Sequence, residues 1–180
     1  KYNNNIANKK ILIVASPNVQ INFRLQLFDE NKLKQENGIW VINNCAGQNF
    51  LNEINMFRSN ISKKKVINIV NNLINNYYSF LGYVEFANLI TKHSNIDNIL
   101  EVNKTLSSKK KNLLIRNKLK KFFDDTLIIV DEIHNIRDSK DNSNKLVAKQ
   151  FYNLVKNADN LKLVLLSATP MFNDHREIIF

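Results

Sequence analysis

Leu127-Ile128-Ile129-Val130-Asp131-Glu132-Ile133-His134 is an apolar, β-favouring run that stops on two carboxylates. Leu163-Val164-Leu165-Leu166-Ser167-Ala168-Thr169-Pro170 repeats the pattern with hydroxyls in place of the acids. Short continuous apolar runs of this kind read as strands buried on both faces, as in a parallel sheet. In an open α/β sheet, ligands sit at the carboxyl ends of such strands. Asp131 is placed there to bind Mg²⁺, usually through water, since this ion keeps much of its hydration shell. Glu132, one residue on, could orient and deprotonate a water attacking a phosphate, and His134 follows on the same turn, where it could hydrogen-bond across to another segment. Ser167 and Thr169, on either side of Ala168, offer hydroxyls to the Asp131–His134 segment. Each such bond contributes only about 1 kcal/mol net, which suits coupling better than holding a fold together. The plainer alternatives are a solvated strand end for the acids and local backbone satisfaction for the hydroxyls.

Outward from these strands, apolar runs alternate with amphipathic patterns. Residues 11–15 read as a buried strand ended by Ser16-Pro17, with Asn18 capping a helix that carries Ile21, Leu25 and Phe28 on one face. Asn37-Gly38 marks a turn before the apolar run 39–42, and Gly47 precedes a short helical pattern through Phe50, Leu51 and Ile54. Residues 62–76 form a helical pattern with Val66, Ile69, Val70 and Leu73 as its stripe. A strand at 77–81 breaks at Gly82-Tyr83 before a helix through Phe86, Leu89 and Ile90, and a basic helical pattern covers 104–121. After a polar loop at 135–145, Ser143 caps a helix bearing Leu146, Val147, Phe151, Leu154 and Val155, and the strand 161–166 delivers Ser167. This alternation predicts an α/β fold whose mainly parallel sheet is covered on both faces.

At 180 residues and 44% hydrophobic content, the chain suits one domain with one core. Its net charge of +10 points to an anionic partner, nucleic acid before a membrane surface. An AT-rich coding sequence, favouring Lys and Asn throughout, would produce the same charge. No acidic residue interrupts the run from Lys104 to Lys121, which reads as a solvated helix face or as a phosphate contact. The single cysteine, Cys45, excludes a disulfide framework and favours a reducing, intracellular setting, with Cys45 as a small core residue. His93, His134 and His175 lack ligand spacing with it, so no zinc site is expected. No run is long enough for a membrane span, and the start carries no secretory pattern. Opening on Lys1 and closing on Phe180 within an amphipathic pattern, the chain reads as a fragment of a longer protein.

Asp131-Glu132-Ile133-His134 and Ser167-Ala168-Thr169 together resemble motifs II and III of the superfamily 2 helicases and translocases. With Asn135-Ile136-Arg137 and Pro170-Met171-Phe172-Asn173 added, they look most like the helicase-like ATPases of large nucleocytoplasmic DNA viruses. That branch includes the poxvirus-type early transcription factor and nucleoside triphosphatase subunits. The stretches 22–29 and 80–86 share the likeness, so it covers most of the chain. It implies a three-layer, RecA-like P-loop NTPase lobe, with ATP and Mg²⁺ as cofactors and residues 1–180 spanning motifs Ia to III. It further implies nucleic-acid contacts at Pro17, Asn18 and Arg24 in motif Ia and at Gly82 and Tyr83 near motif Ib, with DNA favoured over RNA. The other partners implied are a second RecA-like lobe beyond Phe180 and a viral transcription complex, with no membrane. The setting implied is the host cytoplasm, in a virus factory, or the virion.

Two departures stand out. Gly82-Tyr83 lacks the Thr-Gly usual in motif Ib, and no G-x-x-x-x-G-K-[ST] string occurs, the glycines being Gly38, Gly47 and Gly82. On the resemblance that phosphate-cradling loop is expected upstream of Lys1, and the fragment alone is expected to be inactive. The competing expectation is a non-catalytic docking or nucleic-acid-binding module derived from such a lobe.

Overall fold

The computed structural model describes residues 11–55, 61–94, 107–136 and 142–168. In chain order they form β1 (Ile11–Val14), α1 (Pro17–Leu27), β2 (Leu33–Glu36), β3 (Ile39–Ile42), α2 (Cys45–Asn55), α3 (Lys63–Tyr77) and β4 (Tyr78–Leu81). Then follow α4 (Tyr83–Ser94), α5 (Ser108–Phe123), β5 (Leu127–Val130), α6 (Asn142–Asn157) and β6 (Lys162–Leu165). The fold is α/β, with a four-stranded parallel sheet flanked by helices in the order β4-β1-β5-β6, as expected of a RecA-like lobe. The described residues divide into two compact units, one within 17–79 and the other within 11–16 and 80–168.

In the second unit, β1 pairs with β5 through Leu12↔Ile128 and Val14↔Val130, and β5 pairs with β6 through Ile128↔Leu163. Leu12, Ile128 and Leu163 thus form one row on the sheet face. That row joins the core made with Phe86, Ala87 and Ile90 of α4, Leu119 and Phe123 of α5, and Val147 and Leu154 of α6. The row on the opposite face runs Ile13, Ile129, Val164, and exposure climbs along it from 3% at Ile13 to 41% at Val164. β1 is buried on both faces, as its unbroken apolar run requires, whereas β6 is the edge.

The other unit departs from the expected alternation. The run 39–42 does not enter the parallel sheet but pairs antiparallel with β2 in a separate hairpin. Asn37 and Gly38 both have positive φ (49° and 78°), the Asn-Gly signature of a tight hairpin turn whose twist matches the flanking strands. β2 escapes a periodicity reading because only Leu33 of Leu33-Lys34-Gln35-Glu36 is apolar and buried. The outer edge of β3 is satisfied by side chains of α2. Asn55 accepts from the Trp40 amide and donates to the Trp40 carbonyl, while Gln48 accepts from the Ile42 amide. Gly47 lies inside α2 rather than before it. A Cβ there would stand 3.1 Å from both Ile42 Cγ2 and the Leu27 carbonyl, so the missing side chain is what admits this approach.

Three helix details also differ. α1 begins at Pro17, which suits the first helical position because its missing N–H would lack a partner there, so Asn18 sits in the first turn instead of capping it. The Ile21 and Leu25 stripe of α1 is exposed, and no residue of this helix is buried. α6 begins at Asn142, which places Ser143 inside the helix. The stripes of α3 and α6 are as expected at their centres, with Val66, Val70, Val147 and Leu154 buried. Residues 1–9, Lys104, Arg137, Thr169 to Asn173 and His175 lie outside the described residues, as does the Cys45 side chain.

Candidate functional site

The site is built where the ladder of β1, β5 and β6 runs out. The Asp131 amide donates to the Val14 carbonyl (2.9 Å) and the Leu166 amide to the Val130 carbonyl (2.8 Å), so both strand ends are held past their last paired residues. Glu132 then takes a left-handed conformation (φ 47°), which costs an L-residue about 1–2 kcal/mol. That kink opens a single 3₁₀ turn over Ile133–Asn135. It also turns the Ile133 amide onto the Leu166 carbonyl (3.0 Å), so the turn after β5 is pinned to the end of β6. Strain at a non-glycine residue marks a place where neighbours over-determine the backbone.

The side chains converge on the same point. His134 Nδ1 lies 3.0 Å from Ser167 Oγ, joining the Asp-Glu-x-His segment to the Ser-Ala-Thr segment. The same nitrogen is 3.1 Å from Glu132 Oε2, within ion-pair distance when the imidazole is protonated. Asp131 and Glu132 are half-buried, and Ala168 is an exposed bend after Ser167. Among the described residues no three His, Cys, Asp or Glu gather as a metal site. A single carboxylate such as Asp131 is nevertheless the donor set Mg²⁺ takes when water and substrate phosphates complete its shell.

Tyr83 enters from β4's side of the sheet. Its hydroxyl donates to the Asp131 carbonyl (2.9 Å) and accepts from Asn135 Nδ2 (3.3 Å). Burial, the largest cause, raises the phenol's pKa above its ordinary value; the Asn135 bond works against this, and the Asp131 and Glu132 charges add to it. The hydroxyl therefore keeps its proton at neutral pH and acts as a donor. Neither Tyr83's inward turn nor Asn135's part in it has a periodic sequence signal. Gly82 is half-buried, and its amide donates to Glu85 Oε2 (2.9 Å) at the start of α4.

The remaining candidates belong to the other unit or to α5. Pro17 and Asn18 are exposed in the first turn of α1, and Arg24, in its last turn, donates to Asn75 Oδ1 (3.1 Å). On α5, Arg116 and Lys120 pair with Asp159, while Lys109, Lys110, Lys118 and Lys121 are exposed and make no ion pair among the described residues. No described helix is long and apolar enough to cross a membrane.

Comparison with known proteins bears on this geometry. No family model matches the chain, and no solved structure does. Two proteins of Acanthamoeba polyphaga mimivirus, each bearing the name "putative ATP-dependent RNA helicase", do match. One is 25% identical over 97% of this chain, the other 31% identical over 70% of it. The chain spans only 24% of the first relative's length and 12% of the second's. The chain is thus distantly similar, over nearly all its length, to giant-virus proteins named as ATP-dependent RNA helicases.

Proposed function

We propose that this chain is the part of an RNA-dependent ATPase lobe that supplies the catalytic base, the metal-holding carboxylate and the coupling hydroxyls. The observation that carries the reading is the joining of the turn after β5 to the end of β6. Ile133 bonds Leu166 through the backbone and His134 meets Ser167 through side chains, at the edge where α/β sheets bind ligands. Asp131 would hold Mg²⁺ through water, and the ion would supply charge to the phosphate oxygens. Glu132, held beside His134 at the end of β5, would take the proton of the attacking water. His134 and Ser167 would carry the resulting shift of the turn to β6.

In this reading residues 1–180 span motifs Ia to III of a first RecA-like lobe. A phosphate-gripping loop and a second lobe would come from other parts of the protein. RNA is preferred to the DNA expected from the sequence because both relatives are named as RNA helicases. Pro17, Asn18 and Arg24 would lie along the strand's path, the helix start offering its amides to a phosphate. The test is phosphate release from Mg-ATP by the full-length protein with and without single-stranded RNA. RNA should stimulate release, and Asp131→Asn should abolish the stimulated activity. RNA-independent behaviour and an unaltered Asp131→Asn variant would favour a non-catalytic module instead.

A further inference from the structure

We propose that Tyr83 is a positioning residue for the peptide joining Asp131 to Glu132, and through it for both carboxylates; this rests on the hydrolytic reading above. The sheet order places β1 between β4 and β5, so the first residue after β4 and its loop reaches past the end of β1 to touch the turn after β5. Its backbone is anchored for that reach. Tyr83 opens α4, whose Phe86, Ala87 and Ile90 are fully buried in the core below. The Asp131 residue is then held from both sides, its amide by the Val14 carbonyl and its carbonyl by the Tyr83 hydroxyl.

The carbonyl end is the informative one. It belongs to the peptide whose plane sets φ at Glu132, the strained residue of the site (φ 47°). Rotation of that peptide would relieve the left-handed φ at Glu132 and unsettle the turn that carries Glu132 and His134. Tyr83 opposes the rotation directly. Asn135, at the far end of the 3₁₀ turn, donates to the same hydroxyl, so one oxygen ties both ends of the segment containing Glu132 and His134. Tyr83 therefore acts on the reaction through the position of other groups, without touching the phosphate itself.

Tyr83→Phe in the full-length protein removes the bond and keeps the ring that packs against the core. Loss of one such bond should lower kcat for RNA-stimulated ATP hydrolysis about twofold to tenfold. The half-saturating Mg²⁺ concentration should rise by a similar factor, while KM for single-stranded RNA stays as in the wild type and the thermal midpoint falls by no more than about 2–4 °C. Unchanged kcat and Mg²⁺ dependence, or a rise confined to the RNA KM, would overturn the inference; the latter would make Tyr83 a nucleic-acid contact. Asp131→Asn measured alongside separates the two levels. If it abolishes turnover while Tyr83→Phe is silent, only the positioning role fails. If Asp131→Asn is silent too, the hydrolytic reading fails and this inference fails with it.

Discussion

The carboxyl edge of β5 and β6 and the first turn of α1, the two regions given roles in the proposed function, are built in opposite ways. At the edge, backbone bonds from Asp131, Ile133 and Leu166 fix the chain, and His134, Ser167 and Tyr83 lock side chains to it. At the start of α1, Pro17 and Asn18 are exposed, and no side chain of the helix is buried. Chemistry that breaks bonds needs its groups held to within about half an ångström, whereas a phosphate contact needs only a local dipole and open access. On the proposed function, the fixed edge suits the reaction and the open helix start suits contact with the polymer.

Three substitutions break or sharpen that contrast. The largest effect is expected at Ile128, which is fully buried beneath the edge; Ile128→Ala should cost about 2–5 kcal/mol of stability, read by denaturant unfolding. A loss below about 1 kcal/mol would mean the edge is not built on a close-packed layer. Next, Ser167→Ala removes one partner of His134 and should reduce RNA translocation or unwinding more than RNA-stimulated hydrolysis, by about fivefold in their ratio, the equivalent of about 1 kcal/mol. Equal loss of both would make the hydroxyl structural. The smallest effect belongs to the α1 start, where Asn18→Glu places a carboxylate among the first-turn amides. RNA stimulation should fall about twofold to fivefold through repulsion of a phosphate, and the fold should stay intact, because Asn18 is exposed. An unchanged stimulation would take α1 off the strand's path.

The placement of the edge residues was legible in the sequence because they follow directly on apolar runs. Asp131 and Glu132 come straight after β5, and Ser167 comes two residues after β6. Such placement needs only the period of a strand and knowledge of where it ends. The Tyr83 bond was not legible, since it joins residues 48 positions apart through a side chain whose direction no periodicity encodes. β2 was missed for a related reason: Leu33 alone is apolar, and the strand exists through its pairing with β3 and the turn at Asn37-Gly38. On α1 the spacing of Ile21 and Leu25 marks a face able to be buried, but spacing carries no information about what covers it. Asn18 illustrates a smaller ambiguity. With Pro17 beside it, either residue can open the helix, and the fixed φ of proline made Pro17 the first helical residue.

In the proposed function, Glu132 is the base of an ATP-hydrolysing site at the end of β5. The most direct measurement takes one preparation of the full-length Glu132→Gln protein and reads two quantities, the affinity for Mg-ATP and the rate of RNA-stimulated phosphate release. The substitution keeps the side-chain size and removes the carboxylate that would accept the proton. Affinity should stay within about threefold of the wild type while the release rate falls at least about a hundredfold. A rate near that of the wild type, with affinity also retained, would contradict that role for Glu132.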